Sequence, residues 1–254
     1  AISYLEKCFR ANGYDCILCC TGYELATRQN YLKLILSKKV DAVVLVGSTF
    51  IEESPEANQY LIDCSQEVPV FSVNGYLDSP NIYCTLCNDT EAIYQVTTKL
   101  IEQHFTKSLF IYRSASYSGR HKLGAYKNAG LSLSDKQIIC CHDTIDNIRD
   151  MLSDYYDKEF AFDSIVAGDD EFGVSAVKFA KQKGFSIPKD FSIVGYNNSK
   201  AGICCEPELS TLDNKLEFVC NNTVQSVMNI LSGQDVPRKT LVSAEYIKRG
   251  TTGF

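Results

Sequence analysis

The chain has 254 residues, 45% of them hydrophobic and 22% charged, which describes an ordinary globular protein of one large or two small domains and excludes a disordered chain. Its net charge is −6, from 25 Lys+Arg against 31 Asp+Glu, so this segment lacks the basic excess needed to grip DNA phosphates. No run approaches the roughly 18 consecutive apolar residues of a membrane span, and the helically spaced Glu6, Lys7 and Arg10 near the start do not make a signal peptide.

In chain order, a helical pattern over residues 2–11 comes first and stops at Asn12-Gly13. An α/β lobe normally starts with a strand that seats such a helix, so the first strand is expected to be missing from this sequence. Apolar, β-branched runs at 16–20, 42–46, 70–73, 82–86, 109–112, 137–141, 164–167 and 191–195 read as strands. Helical patterns lie between them at 25–37, 52–65, 90–103, 121–129, 145–155 and 172–183, the last stopped by Lys183-Gly184 with Pro188 beyond. A helix over 217–231 and a strand over 241–247 close the chain. Nearly continuous apolar strands alternating with helices give parallel sheets covered on both faces, an α/β class. The strands are too many for one compact sheet, and a fresh one starts after Gln103. The reading is therefore two similar lobes with a cleft between them: 1–103 plus 216–240, and 104–215 plus 241–254.

Twelve cysteines include three vicinal pairs, Cys19-Cys20, Cys140-Cys141 and Cys204-Cys205. Neighbours on a strand point to opposite faces and do not staple distant segments as one unit. They read as small core hydrophobes in a reducing cytoplasm. Cys84-Thr85-Leu86-Cys87 is a C-x-x-C inside a predicted strand, whereas a redox pair of that spacing needs a helix N-terminus. His104, His121 and His142 lack the spacing of a zinc site. No phosphate-cradling or nucleophile-elbow motif occurs, so no catalytic residue, metal or cofactor is expected.

Strand ends on one side deliver hydrogen-bonding residues: Ser48-Thr49, Asn74, the acidic run Asp169-Asp170-Glu171, and Asn197-Asn198. Ligands bind at the carboxyl ends of strands in open α/β sheets. One of the three acids caps the following helix, Asp170 being the first choice, and the rest face the cleft. Together with Tyr23, Phe50, Tyr117 or Phe172 for stacking, this is an inventory for a neutral polyol. Amides at several of these positions favour holding over cleaving.

Several runs resemble the LacI/GalR family of bacterial transcription regulators: VDAVVLVGS over 40–48, SYSGRHKLGAY over 116–126, GDDE over 168–171, GFSIPKDFSIVGYNN over 184–198, PELSTL over 207–212 and IKRGTT over 247–252. The resemblance runs through the whole chain in order. It implies two Rossmann-like lobes of the type I periplasmic-binding-protein kind, holding a small-molecule effector, usually a sugar or nucleobase, in the cleft. It also implies a homodimer, with operator DNA bound through a helix-turn-helix that precedes such a domain and is not in this chain. Carried over by position, effector contacts fall on Ser48, Asn74, Lys122, Asp169, Asn197 and Asn214, with Tyr117 beside them. Lys122 stands where many members have Arg, exchanging a flat fork for a point donor, with Arg120 as the alternative clamp. Asp169 and Asn197 look like the family's Asn and Asp traded between positions. The expected function is thus an effector-binding and dimerisation domain in the cytoplasm, without a membrane partner. The runner-up is a transporter's sugar-binding protein, and an enzyme acting on carbohydrate comes last.

Overall fold

The structure, a computed structural model, describes residues 1–130 and 134–254. Its strands sort into two sheets. The first has four parallel strands in the order β1 (Val43–Val46), β2 (Val70–Val73), β3 (Ile82–Cys87) and β9 (Lys239–Val242). The second has six, in the order β10 (Glu245–Ile247), β8 (Thr211–Asp213), β7 (Ser192–Tyr196), β6 (Ser164–Ala167), β4 (Ser108–Tyr112) and β5 (Ile138–Cys140), all parallel except β10. The α/β reading with parallel sheets flanked by helices is what the structure has.

Two compact units contain these sheets. The first is Ala1–Cys87, Ser116–Ser118 and Leu216–Val242; the second is Asn88–Ala115, Gly119–Lys215 and Ser243–Phe254. In the first, α1 (Ile2–Ala11) and α9 (Leu216–Leu231) cover one sheet face, where Leu5, Phe9, Cys220 and Val224 pack with Phe71. On the other face α2 (Leu25–Ser37) and α3 (Gln59–Glu67) bring Leu32 and Leu61 onto Leu45, Val70 and Ile82. The two-residue period of a strand makes this possible: Val70 goes to one core and its neighbour Phe71 to the other.

The second unit repeats the scheme. Leu109, Ile111, Ile165 and Ile193 meet α6 (Ile145–Lys158) and α7 (Asp170–Gln182) on one face. Phe110, Val166 and Val194 meet α4 (Asp89–Glu102) and α5 (Tyr117–Asn128) on the other. Around Phe179 the rings of Phe162, Phe185, Phe191 and Tyr156 pack edge-on or tilted, with centroids 5.3–6.2 Å away.

Four sequence expectations need correction. The boundary at residue 103 is misplaced, because α4 buries Ala92, Ile93, Val96 and Leu100 against Phe110 and Tyr126 of the second unit. The single strand over 241–247 is two short ones, β9 in the first sheet and β10 in the second. The run 16–20 forms no strand: no described residue pairs with it, and Ile17 and Leu18 are exposed. Finally, the cysteines are all unbridged, but only Cys64, Cys84, Cys87 and Cys220 are buried, while Cys16, Cys20, Cys140 and Cys204 are exposed. A core role therefore covers only some of them.

Candidate functional site

In the first unit the chain leaves β1 and β2 side by side, with Val46 opposite Val73 and the Gly47 amide bonded to the Val73 carbonyl at 3.2 Å. Ser48 and Asn74 therefore stand two residues and one residue beyond neighbouring strand ends. Asn74 takes a left-handed turn, φ 65°, and donates its amide to Thr85 at 3.0 Å; Asn tolerates that conformation better than most residues. The Ser48 hydroxyl donates to that of Ser116 at 3.0 Å, and the Ser48 carbonyl accepts the Tyr117 amide at 3.1 Å. Tyr117 is the first residue of α5, so that amide has no acceptor within its own helix. Ser48, Ser116 and Tyr117 form one cluster.

The second unit carries the other sequence candidates: Asp169 after β6, Asn197 after β7, Asn214 after β8 and Lys122 on α5. Asp169, not Asp170, caps α7: its Oδ1 accepts the Phe172 amide at 3.1 Å. Its Oδ2 accepts both Nε and Nη2 of Arg113, at 3.0 and 2.8 Å, and Arg113 also reaches Glu171 at 2.7 Å. Burial works against the Arg113 charge, but the two carboxylates outweigh it and raise its pKa. Its guanidinium lies over the Phe172 ring, 5.0 Å from the centroid. Phe172 is fully buried there, which removes it as a stacking platform for a ligand.

Lys122 is buried. Its ammonium donates to the Gly168 carbonyl at 3.1 Å and sits 3.4 Å from the centroid of the Tyr196 ring, whose hydroxyl donates to Asp89. It thereby ties the end of β6 to the end of β7. Arg120, the alternative clamp, donates Nη1 to the Ala115 carbonyl at 2.5 Å. After β7, Asn197 and Asn198 both take positive φ, 101° and 50°. Asn197 is exposed, and its Oδ1 accepts Nδ2 of buried Asn214 at 2.9 Å. Oδ1 of Asn214 is buried and has no hydrogen-bond partner among the described residues.

Asp170 has a different role. It is buried, accepting the Ser199 amide at 2.5 Å and the Thr211 hydroxyl at 2.6 Å, and burial raises its pKa. Sequence reasoning missed Arg113. The available signal was a basic residue directly after a strand, on the strand next to the one that delivers Asp169. No group of three or more metal-ligating side chains occurs among the described residues. The Cys84 thiol lies buried in β3, and burial pushes its pKa up. An apolar groove of about 430 Å³, lined by Val174, Val177, Ala201 and Cys204, flanks α7 and offers no polar set of the strand-end kind.

Residues 2–250 match the family described as periplasmic binding proteins and sugar binding domain of LacI family. An HTH-type transcriptional regulator of Lachnoclostridium phytofermentans is 44% identical over 258 residues, covering 100% of this chain and 78% of the relative. The HTH-type transcriptional repressor PurR of Vibrio atlanticus is 22% identical, covering 96% of this chain and 73% of its own length. Among solved structures, the transcription regulator CcpA of Lactococcus lactis superposes with a TM-score of 0.85 at 19% identity, covering 99% of this chain and 93% of that one. A complex of the transcriptional regulator CelR with cellobiose gives 0.83 at 18% identity, covering 98% and 77%.

Proposed function

This chain belongs to the LacI-type sugar-binding family and is the effector-binding domain of a transcriptional regulator; on that premise we propose that its effector is a neutral carbohydrate, held by strand-end residues and their neighbours. Ser48, Asn74 and Tyr117 supply one set of contacts, and Lys122, Asp169, Asn197 and Asn214 the other. The observation that carries the reading is the buried, partnerless Oδ1 of Asn214 beside exposed Asn197. A hydroxyl donor would satisfy that acceptor and a neutral sugar is rich in such donors, whereas a fully ionised phosphate group, which only accepts, would not. Asp169 next to Glu171 further disfavours an anionic ligand, since Arg113 is already committed to both carboxylates.

Effector binding would shift the population of domain conformations and, by linkage, the affinity of an attached helix-turn-helix for operator DNA. Homodimerisation in the cytoplasm is part of the same proposal. Apolar Ile2 on α1 and Leu34 on α2, each 49% exposed, support an interface on those helices. The relatives are transcriptional regulators rather than transport proteins or enzymes, so neither alternative is favoured. Among the described residues no helix is long and apolar enough to cross a membrane. Calorimetric titration with cellobiose, glucose and ribose tests the site: heat of binding from one of them, lost in Asp169→Ala and Asn197→Ala, is expected. Binding that survives both substitutions contradicts the assignment.

A further inference from the structure

Arg28 of α2 is only 4% exposed, an uncommon place for a guanidinium. Its fork is directed at the loop that follows β1. Nη1 donates to the Thr49 carbonyl, and Nη2 donates to the Tyr23 carbonyl at 3.1 Å and to Glu52 Oε1 at 2.5 Å. The guanidinium carbon also lies 5.9 Å from the centroid of the Phe50 ring. Nε is buried without a hydrogen-bond partner among the described residues, so the side chain leaves one donor unmet while both terminal nitrogens reach the loop and Nη2 also holds Tyr23. A buried charge is expensive unless it is paired and well bonded, and helix packing alone would be better served by an aliphatic residue.

The far end of the same loop, from Phe50 to Ser54, has further holds of its own. Asn58 accepts the Glu52 amide at 2.8 Å and donates to the carbonyls of Glu52 and Ser54, each at 3.0 Å. Tyr60 donates its hydroxyl to the Phe50 carbonyl at 2.9 Å. Residue 49 is therefore the point that Arg28 alone among these side chains fixes, and residue 48 precedes it.

We propose that Arg28, backed by Glu52, is the positioning residue for the Ser48–Ser116–Tyr117 cluster: it locks the backbone at Thr49 so that the Ser48 hydroxyl and carbonyl are presented in one orientation. This rests on the reading of that cluster as an effector contact, but its test needs no ligand. The Tyr117 amide is held by the Ser48 carbonyl, so its hydrogen exchange reports directly on where residue 48 sits. Lys at position 28 keeps the charge but loses the planar fork that spans three acceptors.

The experiment is amide hydrogen exchange on the unmodified protein, Arg28→Lys and Glu52→Gln. Exchange at Tyr117 and Gly47 should accelerate by about tenfold or more in Arg28→Lys, and by less in Glu52→Gln, reflecting local rather than global opening. The Val70 amide, bonded to Asn81 in the same unit, should keep its protection. A merely structural Arg28 would accelerate Val70 and Tyr117 together, and that result overturns the proposal, as does unchanged exchange at Tyr117. If Arg28→Lys does not fold, Glu52→Gln, altered at a part-exposed side chain, decides by the same comparison. Absence of sugar binding by the unmodified protein would refute the effector reading while leaving this exchange result intact.

Discussion

Asp169 commits one carboxylate oxygen to the Phe172 amide and the other to Arg113, whereas Asp170 lies buried between Ser199 and Thr211. The two neighbours therefore respond differently to mutation. Asp169→Ala removes a helix N-cap and should cost about 0.5–2 kcal/mol in urea unfolding. It also releases Arg113 from a partner. Asp170 adds a pH-dependent contribution of its own. Its folded pKa is raised by burial, so the folded state holds that proton more tightly than the unfolded chain does. Its contribution to stability is then greatest below the ordinary carboxylate range and falls as pH rises through the folded value. In urea unfolding across acid pH, the stability of the unmodified protein relative to Asp170→Asn should therefore fall as pH rises, and a difference independent of pH would contradict the assignment. The sequence located this acidic run at a strand end and put a cap in it, but assigned the cap to the wrong aspartate. A one-residue shift in where a helix begins is decided by which backbone amide is left unbonded, and periodicity does not resolve that.

At the scale of elements, α7 lies against β7 with little room between them. A Cβ on Gly195 would stand 2.6 Å from Leu209 Cδ2 and collide with the Asp170 carboxylate. Gly195→Ala should therefore destabilise by about 1–3 kcal/mol in thermal unfolding, by overpacking; a neutral result would mean that the α7–β7 spacing is softer than described. Most helices and strands were legible because their apolar positions recur at the right period, and α1 and α2 match the expected spans 2–11 and 25–37. Failures came where an element depends on its partner. The run 16–20 has the right composition for a strand, but strand formation needs a neighbour to accept its ladder bonds. The run 241–247 reads as continuous, yet Ser243 and Ala244 separate two halves that pair in different sheets. Arg113 and Arg28 were invisible for a related reason: their partners lie 56 and 24 residues away, at Asp169 and Glu52.

For the molecule as a whole, family membership accounts for the two largely parallel sheets and the polar strand ends. Homodimerisation through α1 and α2 is checked by sedimentation velocity, where a concentration-dependent dimer is expected and Ile2→Lys with Leu34→Lys should return a monomer. The identity of the ligand is the claim on which the account most depends. The most direct measurement is a thermal-shift panel of monosaccharides, disaccharides including cellobiose, sugar phosphates and purines. A ligand present at a hundred times its dissociation constant adds about 2.7 kcal/mol of stability, a shift that is plain to read. The account predicts a rise with at least one neutral sugar, none with its phosphate, and loss of the rise in Asn197→Ala. A rise with a purine or a sugar phosphate, and none with any neutral sugar, would contradict it.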